Sequence, residues 1–392
     1  MHATLTENIH WIGIIDWNLR DFHGYITKRG ATYNSYLITD EKTILVDTVK
    51  KPFFEQWLAN IREIVDPATI DYLICNHIEP DHSGSLNLFR HMYPQVKILA
   101  SKMAVNGLKR YYGPDLEITV VKSGETLSAG ANTLQFLETP MVHWPDSMFT
   151  YIPEKRLLFS MDAFGQHIAT ARRFDDQVDL PAVMQEAKKY YANLLIHLSP
   201  LIQTTLKKVT ELKLEIDMIA PSHGIIWRSH ISDIMQAYTN WSTYASVPKA
   251  VIIYDTMWGS TELMAQCLVN QFMQADIDAR LLKLRENHRS DVMAEILDAR
   301  AILIGSPTIH RQMFPTVADL LCYMKGLKPQ HKIAAAFGSY GWSGEAMQLV
   351  SDELQAMQLD VIDGIKAVYR PAEAEQEQAQ RLVTDIIARM QG

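Results

Sequence analysis

Cysteine is scarce in this chain. Its 392 residues include three, Cys75, Cys267 and Cys322, far apart and never as a C-x-x-C pair. That spacing excludes a rubredoxin-type module or a cysteine-ligated iron–sulfur cluster within the chain. Three scattered thiols fit a protein of a reducing cytoplasm, and Cys75, closing an apolar run, is expected to pack in a core. A long basic run is also missing. Net charge is −8, from 37 basic against 45 acidic residues, which argues against nucleic acid as a main partner and fits a soluble enzyme that meets a small charged redox protein. No apolar stretch approaches the roughly 20 residues that span a bilayer. The start, Met1 to Asn8, lacks the basic-then-apolar pattern of a signal peptide. No G-x-G-x-x-G follows a strand, which disfavours NAD. The length is enough for two or three domains with full cores.

What the chain does have is a concentration of metal-ligand side chains. Ile70 to Ile74 reads as a buried strand, and Cys75-Asn76-His77-Ile78-Glu79-Pro80-Asp81-His82 follows. His77, Glu79 and Asp81 alternate along an extended or turning backbone, and His82 breaks the alternation. Two ligands facing one way and two the other suit two metal ions side by side. A single His or Asp at a strand end is usually a solvated loop residue; four in this order are a metal-site pattern. Upstream, residues 9–14, 35–39 and 43–48 read as strands. A helix from about Pro52 to Ile64 carries Phe53, Trp57, Leu58 and Ile61 on one face. Downstream, single candidates close further apolar runs: His143 after 134–137, Asp162 after 156–161, and His223 after 218–222.

His-x-Glu-x-Asp-His resembles the His-x-His-x-Asp-His signature of metallo-β-lactamase-fold proteins, with Glu79 in place of the second His. That variant is the one flavodiiron proteins carry, and the order of the later candidates matches the same family. The resemblance implies that one iron takes His77, Glu79 and His143, that the other takes Asp81, His82 and His223, and that Asp162 bridges them. Not every member of the family uses the histidine matching His82. It also implies that His23 and Tyr191 line the substrate pocket, where either donates a hydrogen bond or a proton, with Tyr25 nearby. Three carboxylates and a hydroxide balance two ferrous ions, so the centre is nearly neutral and cheap to hold in a semi-buried place. Mixed imidazole and carboxylate ligands suit iron better than zinc.

Composition changes near residue 240, where Asn240 to Pro248 reads as a helix end and linker. Ala250 to Tyr254 then opens a run of strand–loop–helix units with continuous apolar strands, and the expected organisation is residues 1–248 followed by 249–392. About 145 residues of this kind fit a doubly wound, flavodoxin-like parallel sheet. The first loop, Thr256, Met257, Trp258, Gly259, Ser260 and Thr261, offers hydroxyls, backbone N–H groups and a helix N-terminus to a phosphate without a Lys or Arg. It resembles the flavodoxin Thr-x-Thr-Gly-x-Thr pattern, with Trp258 at the second Thr. At the sheet's switch point FMN is the expected ligand. Ser306, Pro307, Thr308 and Ile309 flank its ring, and Gly338, Ser339, Tyr340, Gly341 and Trp342 approach the other side.

The expected fold is therefore α/β: a metallo-β-lactamase-like αββα domain followed by a flavodoxin-like domain. The resemblance covers the whole chain and implies a cytoplasmic flavodiiron enzyme that reduces O2 to water, NO to N2O, or both. FMN and a diiron centre are its cofactors, and an external donor such as rubredoxin supplies electrons. A head-to-tail homodimer, or a dimer of such dimers, is implied as well. Two other readings stay open: a zinc metallohydrolase with an accessory flavodoxin domain, and a flavin-linked electron carrier or diatomic sensor.

Overall fold

The computed structural model describes residues 2–391. The chain forms two compact units, the first comprising 1–23, 27–190 and 200–239, and the second 24–26, 191–199 and 240–392.

The first unit is built on two sheets. A seven-stranded sheet runs in the order Ala3–Thr6, Ile9–Trp11, Tyr36–Thr39, Thr43–Val46, Ile70–Cys75, Lys97–Ser101, Ile118–Val121. Its early strands pair antiparallel and its last four are parallel. A five-stranded sheet runs Thr126–Ser128, Thr133–Glu138, Met148–Ile152, Leu157–Met161, Met218–Pro221. Trp11, Tyr36, Val46, Ile74, Leu99 and Ala220 join Phe136, Met148 and Phe159 in one buried core. Helices cover the outer faces. Trp57, on Phe54–Arg62, donates its indole N–H to Ser35 at the head of a first-sheet strand. Ile202 and Val209, on Ser199–Glu211, line one apolar pocket with Phe149 and Leu158 of the second sheet. This is the αββα layering the sequence led us to expect.

The second unit is a five-stranded parallel sheet in the order Asp278–Lys283, Val247–Tyr254, Ala299–Gly305, Ile333–Tyr340, Asp360–Val368. The strand that comes first in the chain lies between the second and third, which is the flavodoxin-type order with its switch point between the first and third strands. Ile252, Leu303, Ala335 and Phe337 are fully buried, as central parallel strands demand.

Phe159 is 1 % exposed and packs its ring 5.0 Å from Tyr36 across the two sheets. Phe159→Ala is expected to cost the first unit about 3–5 kcal/mol of unfolding free energy, read as a lower denaturation midpoint in urea; a loss below 1 kcal/mol would mean that this face is not a packed core.

Candidate metal centre and flavin cleft

The ligand loop starts where the strand Ile70–Cys75 ends. Asp47, in the left-handed region at φ 56°, accepts the N–H of Asn76 at 2.7 Å and so fixes the strand's exit. Asp146 then takes the Ile78 N–H at 2.8 Å and lies 2.9 Å from Nδ1 of His77, on the same oxygen. An imidazole that donates through Nδ1 presents Nε2 with its lone pair free. The backbone expected to alternate through His77, Glu79 and Asp81 turns helical after Glu79. Glu79 caps the one-turn helix Pro80–Ser83, whose interior carries Asp81 and His82. The Ser83 hydroxyl holds this turn to the Ile78 carbonyl at 2.5 Å and lies 2.6 Å from the Tyr112 hydroxyl.

All seven expected ligands converge, in two groups of buried or half-buried side chains: His77, Glu79, His143 and Asp162, and Asp81, His82 and His223. Asp162 belongs to both. Its Oδ2 is 3.1 Å from His143 Nε2 and 3.5 Å from His77 Nε2. Its Oδ1 is 3.1 Å from His82 Nε2 and 3.3 Å from His223 Nε2. Glu79 Oε2 closes the first group at 3.3 Å from both His77 and His143. Asp81 Oδ2 closes the second at 3.1 Å from His223 and 3.5 Å from His82. Nδ1 of His223 lies 2.7 Å from the Thr32 carbonyl, so it is the protonated nitrogen and Nε2 faces the group bare. Gly224, at φ +82°, lets the chain turn against Gln166, whose side chain would overlap any Cβ there.

Two of these contacts are hydrogen bonds, His143 Nε2 with Asp162 Oδ2 and His77 Nε2 with Glu79 Oε2, and they leave other atoms of the cluster without one. Both Asp81 oxygens, Asp162 Oδ1 and both His82 nitrogens are buried and make no hydrogen bond. Buried polar atoms are ordinarily satisfied, and a set of them converging on two points is what metal ions satisfy. The charges agree. Burial works against an ionised Asp162, yet the surrounding imidazoles hold its carboxyl well below the usual range. Burial lowers His77 and His143, but the neighbouring carboxylates overcome it and push both up to about 10. The pocket demands positive charge, which bound cations supply in place of protons. The residues therefore fit a pair of metal ions, one per group, with Asp162 between.

His23 sits at the edge, its Nε2 2.6 Å from Glu79 Oε1, and is more than a third exposed. Of the adjacent tyrosines, Tyr190 is the one beside the cluster, its ring 6.1 Å from His223 and 5.0 Å from His167. Tyr191 turns elsewhere, with its hydroxyl 2.9 Å from Ser199 Oγ and its ring on Trp241 at 5.3 Å. The α-helix Leu180–Tyr190 ends between them and continues as the wider π-turn Tyr191–Leu195, so one step along the chain swings the side chain to another face. The structure thus sets Tyr190, and not Tyr191, beside the cluster. Sequence reasoning also missed Asp146 and His167. His167 is buried 4.8 Å from His223, and burial together with that neighbour holds it well below the usual histidine range, hence neutral. Asp146 had one available signal, a carboxylate three residues after His143; His167 had none.

In the second unit the loops after the strands Val247–Tyr254, Ala299–Gly305 and Ile333–Tyr340 surround a cleft of about 510 Å³. Met257, Trp258, Ser260, Pro307, Thr308, Ser339, Tyr340, Gly341 and Trp342 line it, all of them expected. Gly259, at φ +85°, turns the first loop into the helix Ser260–Gln274. Thr261 instead points inward, its hydroxyl 3.0 Å from Ser339 Oγ. Trp258 and Trp342 are 94 % and 90 % exposed, two flat apolar faces that a planar ring system would cover. His310, Arg311, Tyr369 and Arg370 add walls that sequence reasoning did not foresee.

A metal-binding αββα domain and a flavodoxin-type domain in one chain define a two-cofactor redox protein. A family model described as "ODP family beta lactamase" matches residues 31–224, and the flavodoxin model matches 252–381. The chain is 48% identical to a nitric oxide reductase of Moorella thermoacetica over 92% of its own length and 91% of that protein's. It is 37% identical to the anaerobic nitric oxide reductase flavorubredoxin of Shigella flexneri, over 95% of this chain and 79% of that one. Among solved structures, rubredoxin oxygen:oxidoreductase from Desulfovibrio gigas superposes at TM-score 0.97 with 37% identity, over 100% and 99% of the two chains. A flavodiiron protein from Giardia intestinalis superposes at 0.96 with 35% identity, over 100% and 98%. The chain belongs to the flavodiiron protein family.

Asp146→Asn keeps the shape but offers His77 an amide in place of a carboxylate. Competition with a chelator is expected to show metal binding weakened by about 10- to 100-fold, with flavin content unchanged. Unaltered metal affinity would remove Asp146 from the support of the site.

Proposed function

We propose that this protein reduces O2 to water, NO to N2O, or both, in the cytoplasm, with electrons entering through FMN from an external donor such as rubredoxin. The iron-binding domain is residues 1–248 and the flavin domain 249–392. The observation that carries this reading is the division of the Asp162 carboxylate between two ligand groups, each of mixed imidazole and carboxylate donors. Three carboxylates among seven ligands favour iron over the zinc of a hydrolase, and Glu79 stands where hydrolases of this fold favour histidine. Among the described residues no helix is long and apolar enough to cross a membrane. Residues 1–392 hold no C-x-x-C pair, which supports a donor site outside this stretch.

Bound iron supplies reducing equivalents and open coordination positions for a diatomic molecule, and bound FMN supplies electrons one or two at a time. The chain's own residues do the rest. His77, Glu79 and His143 would hold one metal and Asp81, His82 and His223 the other, with one Asp162 oxygen facing each group. Asp146 and the Thr32 carbonyl orient His77 and His223 through their Nδ1 atoms. His23, bonded to Glu79 and open to solvent, holds a proton at Nε2 on the path between water and the metals. Tyr190 and His167 close the far side and keep bulk water out. Reducing O2 consumes four electrons and four protons to give two waters; two NO consume two of each to give N2O and one water. A head-to-tail homodimer, or a dimer of dimers, brings the flavin of one chain to the metals of another.

The test is turnover of the reduced, iron- and FMN-loaded protein, with O2 and NO electrodes in parallel. Rapid multiple turnover of either gas is expected. Consumption of neither by fully loaded protein would leave a carrier or sensor, and native protein with stoichiometric zinc and esterase or lactonase activity would make it a hydrolase.

A further inference from the structure

The flavin cleft has a feature at its base that the phosphate loop alone does not explain. Asp255, immediately before the loop, is completely buried. One of its oxygens accepts the Thr256 N–H at 2.7 Å and Arg285 Nε at 2.8 Å, and the other accepts the Thr316 hydroxyl at 2.6 Å. Arg285 reaches further and donates Nη2 to the Thr256 carbonyl. Thr256 in turn accepts the Gly259 N–H on its hydroxyl at 3.1 Å, at the turn that starts the helix. The guanidinium lies over the Phe314 ring, 5.4 Å from its centre.

A buried carboxylate beside a site for a doubly charged phosphate is costly. It repels the ligand through a medium of low dielectric, where charges act at longer range than in water. Residues 256–261 contain no cation to offset it. Arg285, from the segment after the strand Asp278–Lys283, is the group that does so. Its fork spans the Asp255 carboxylate and the Thr256 carbonyl, so it cancels the charge and fixes the loop's first peptide in one contact.

We propose that Asp255 and Arg285 form a charge-cancelling clasp that sets the affinity of this cleft for the phosphate of a flavin mononucleotide. Neither residue touches the phosphate; both are positioning residues acting through the loop. The inference rests on the flavin reading above and adds what makes the cleft select a phosphorylated flavin over its nucleoside form.

The test titrates FMN and riboflavin separately into flavin-stripped, full-length protein, read by quenching of flavin fluorescence. Arg285→Gln leaves a buried carboxylate unpaired and is expected to weaken FMN binding at least tenfold, with riboflavin binding changed less than threefold. Asp255→Asn in the Arg285→Gln background removes that charge and is expected to recover most of the lost FMN affinity. Arg285→Lys keeps the charge without the fork, and is expected to fall between wild type and Arg285→Gln; if the Gln variant does not fold, Lys and the double variant carry the comparison. Three results overturn the clasp while leaving the flavin reading intact: wild-type FMN affinity in Arg285→Gln, parallel losses for FMN and riboflavin, or a double variant no better than the single one. A wild-type protein that binds neither flavin overturns the flavin reading and the clasp with it.

Discussion

The first unit is organised around one buried carboxylate with two faces. Asp162 sits at the end of the strand Leu157–Met161 and turns one oxygen to each of two ligand groups. An ionised carboxylate at 1 % exposure is untenable unless positive charge surrounds it. The imidazoles of His77, His143, His82 and His223 face it with nitrogens, and the remaining carboxylates, Glu79 and Asp81, deepen the demand for cations. Two metal ions, one per ligand group, would resolve that demand.

The fold delivers these groups because each comes from the end of a strand. Parallel strands in one sheet bring Asp47 beside Asn76, and antiparallel neighbours in the other bring the loop 139–147 and Asp162 to the same edge. The supporting hydrogen bonds come from a further layer. Asp146 holds His77, Thr32 holds His223, and Ser83 with Tyr112 holds the helical turn that carries Asp81 and His82. The second unit repeats the logic with backbone and hydroxyl groups in place of ligands. Strand ends present a loop, a helix start and two exposed indoles around a cleft, and the buried Asp255 before the loop pairs with the half-exposed Arg285.

Much of this was readable from the chain. His77, Glu79, Asp81 and His82 are nearly consecutive, so their pattern stands out without any knowledge of tertiary contacts. His143, Asp162 and His223 each follow an apolar run, a weak sign alone, and it is the resemblance of their order to the flavodiiron layout that marks them. The helical turn Pro80–Ser83 was not, since four residues are too few to show a helical period. Tyr190 and Tyr191 are both buried, so burial pattern does not choose between them; the π-turn that separates their directions has no sequence signature. Asp146 and His167 are single residues whose roles exist only in three dimensions. The cleft wall at Tyr369 and Arg370 follows the edge strand Asp360–Val368, whose charged residues Asp360, Asp363 and Lys366 hide it from a search for continuous apolar strands. Asp255 carries no signal in the sequence, because its partners Arg285 and Thr316 are 30 and 61 residues away.

The most direct test of the central claim is anomalous diffraction at the iron edge from crystals of protein isolated with its native metals. The account predicts two iron peaks per chain, one within bonding distance of His77, Glu79 and His143, the other of Asp81, His82 and His223, with an Asp162 oxygen on each. A single peak, a pair that Asp162 does not bridge, or zinc at both positions would contradict it.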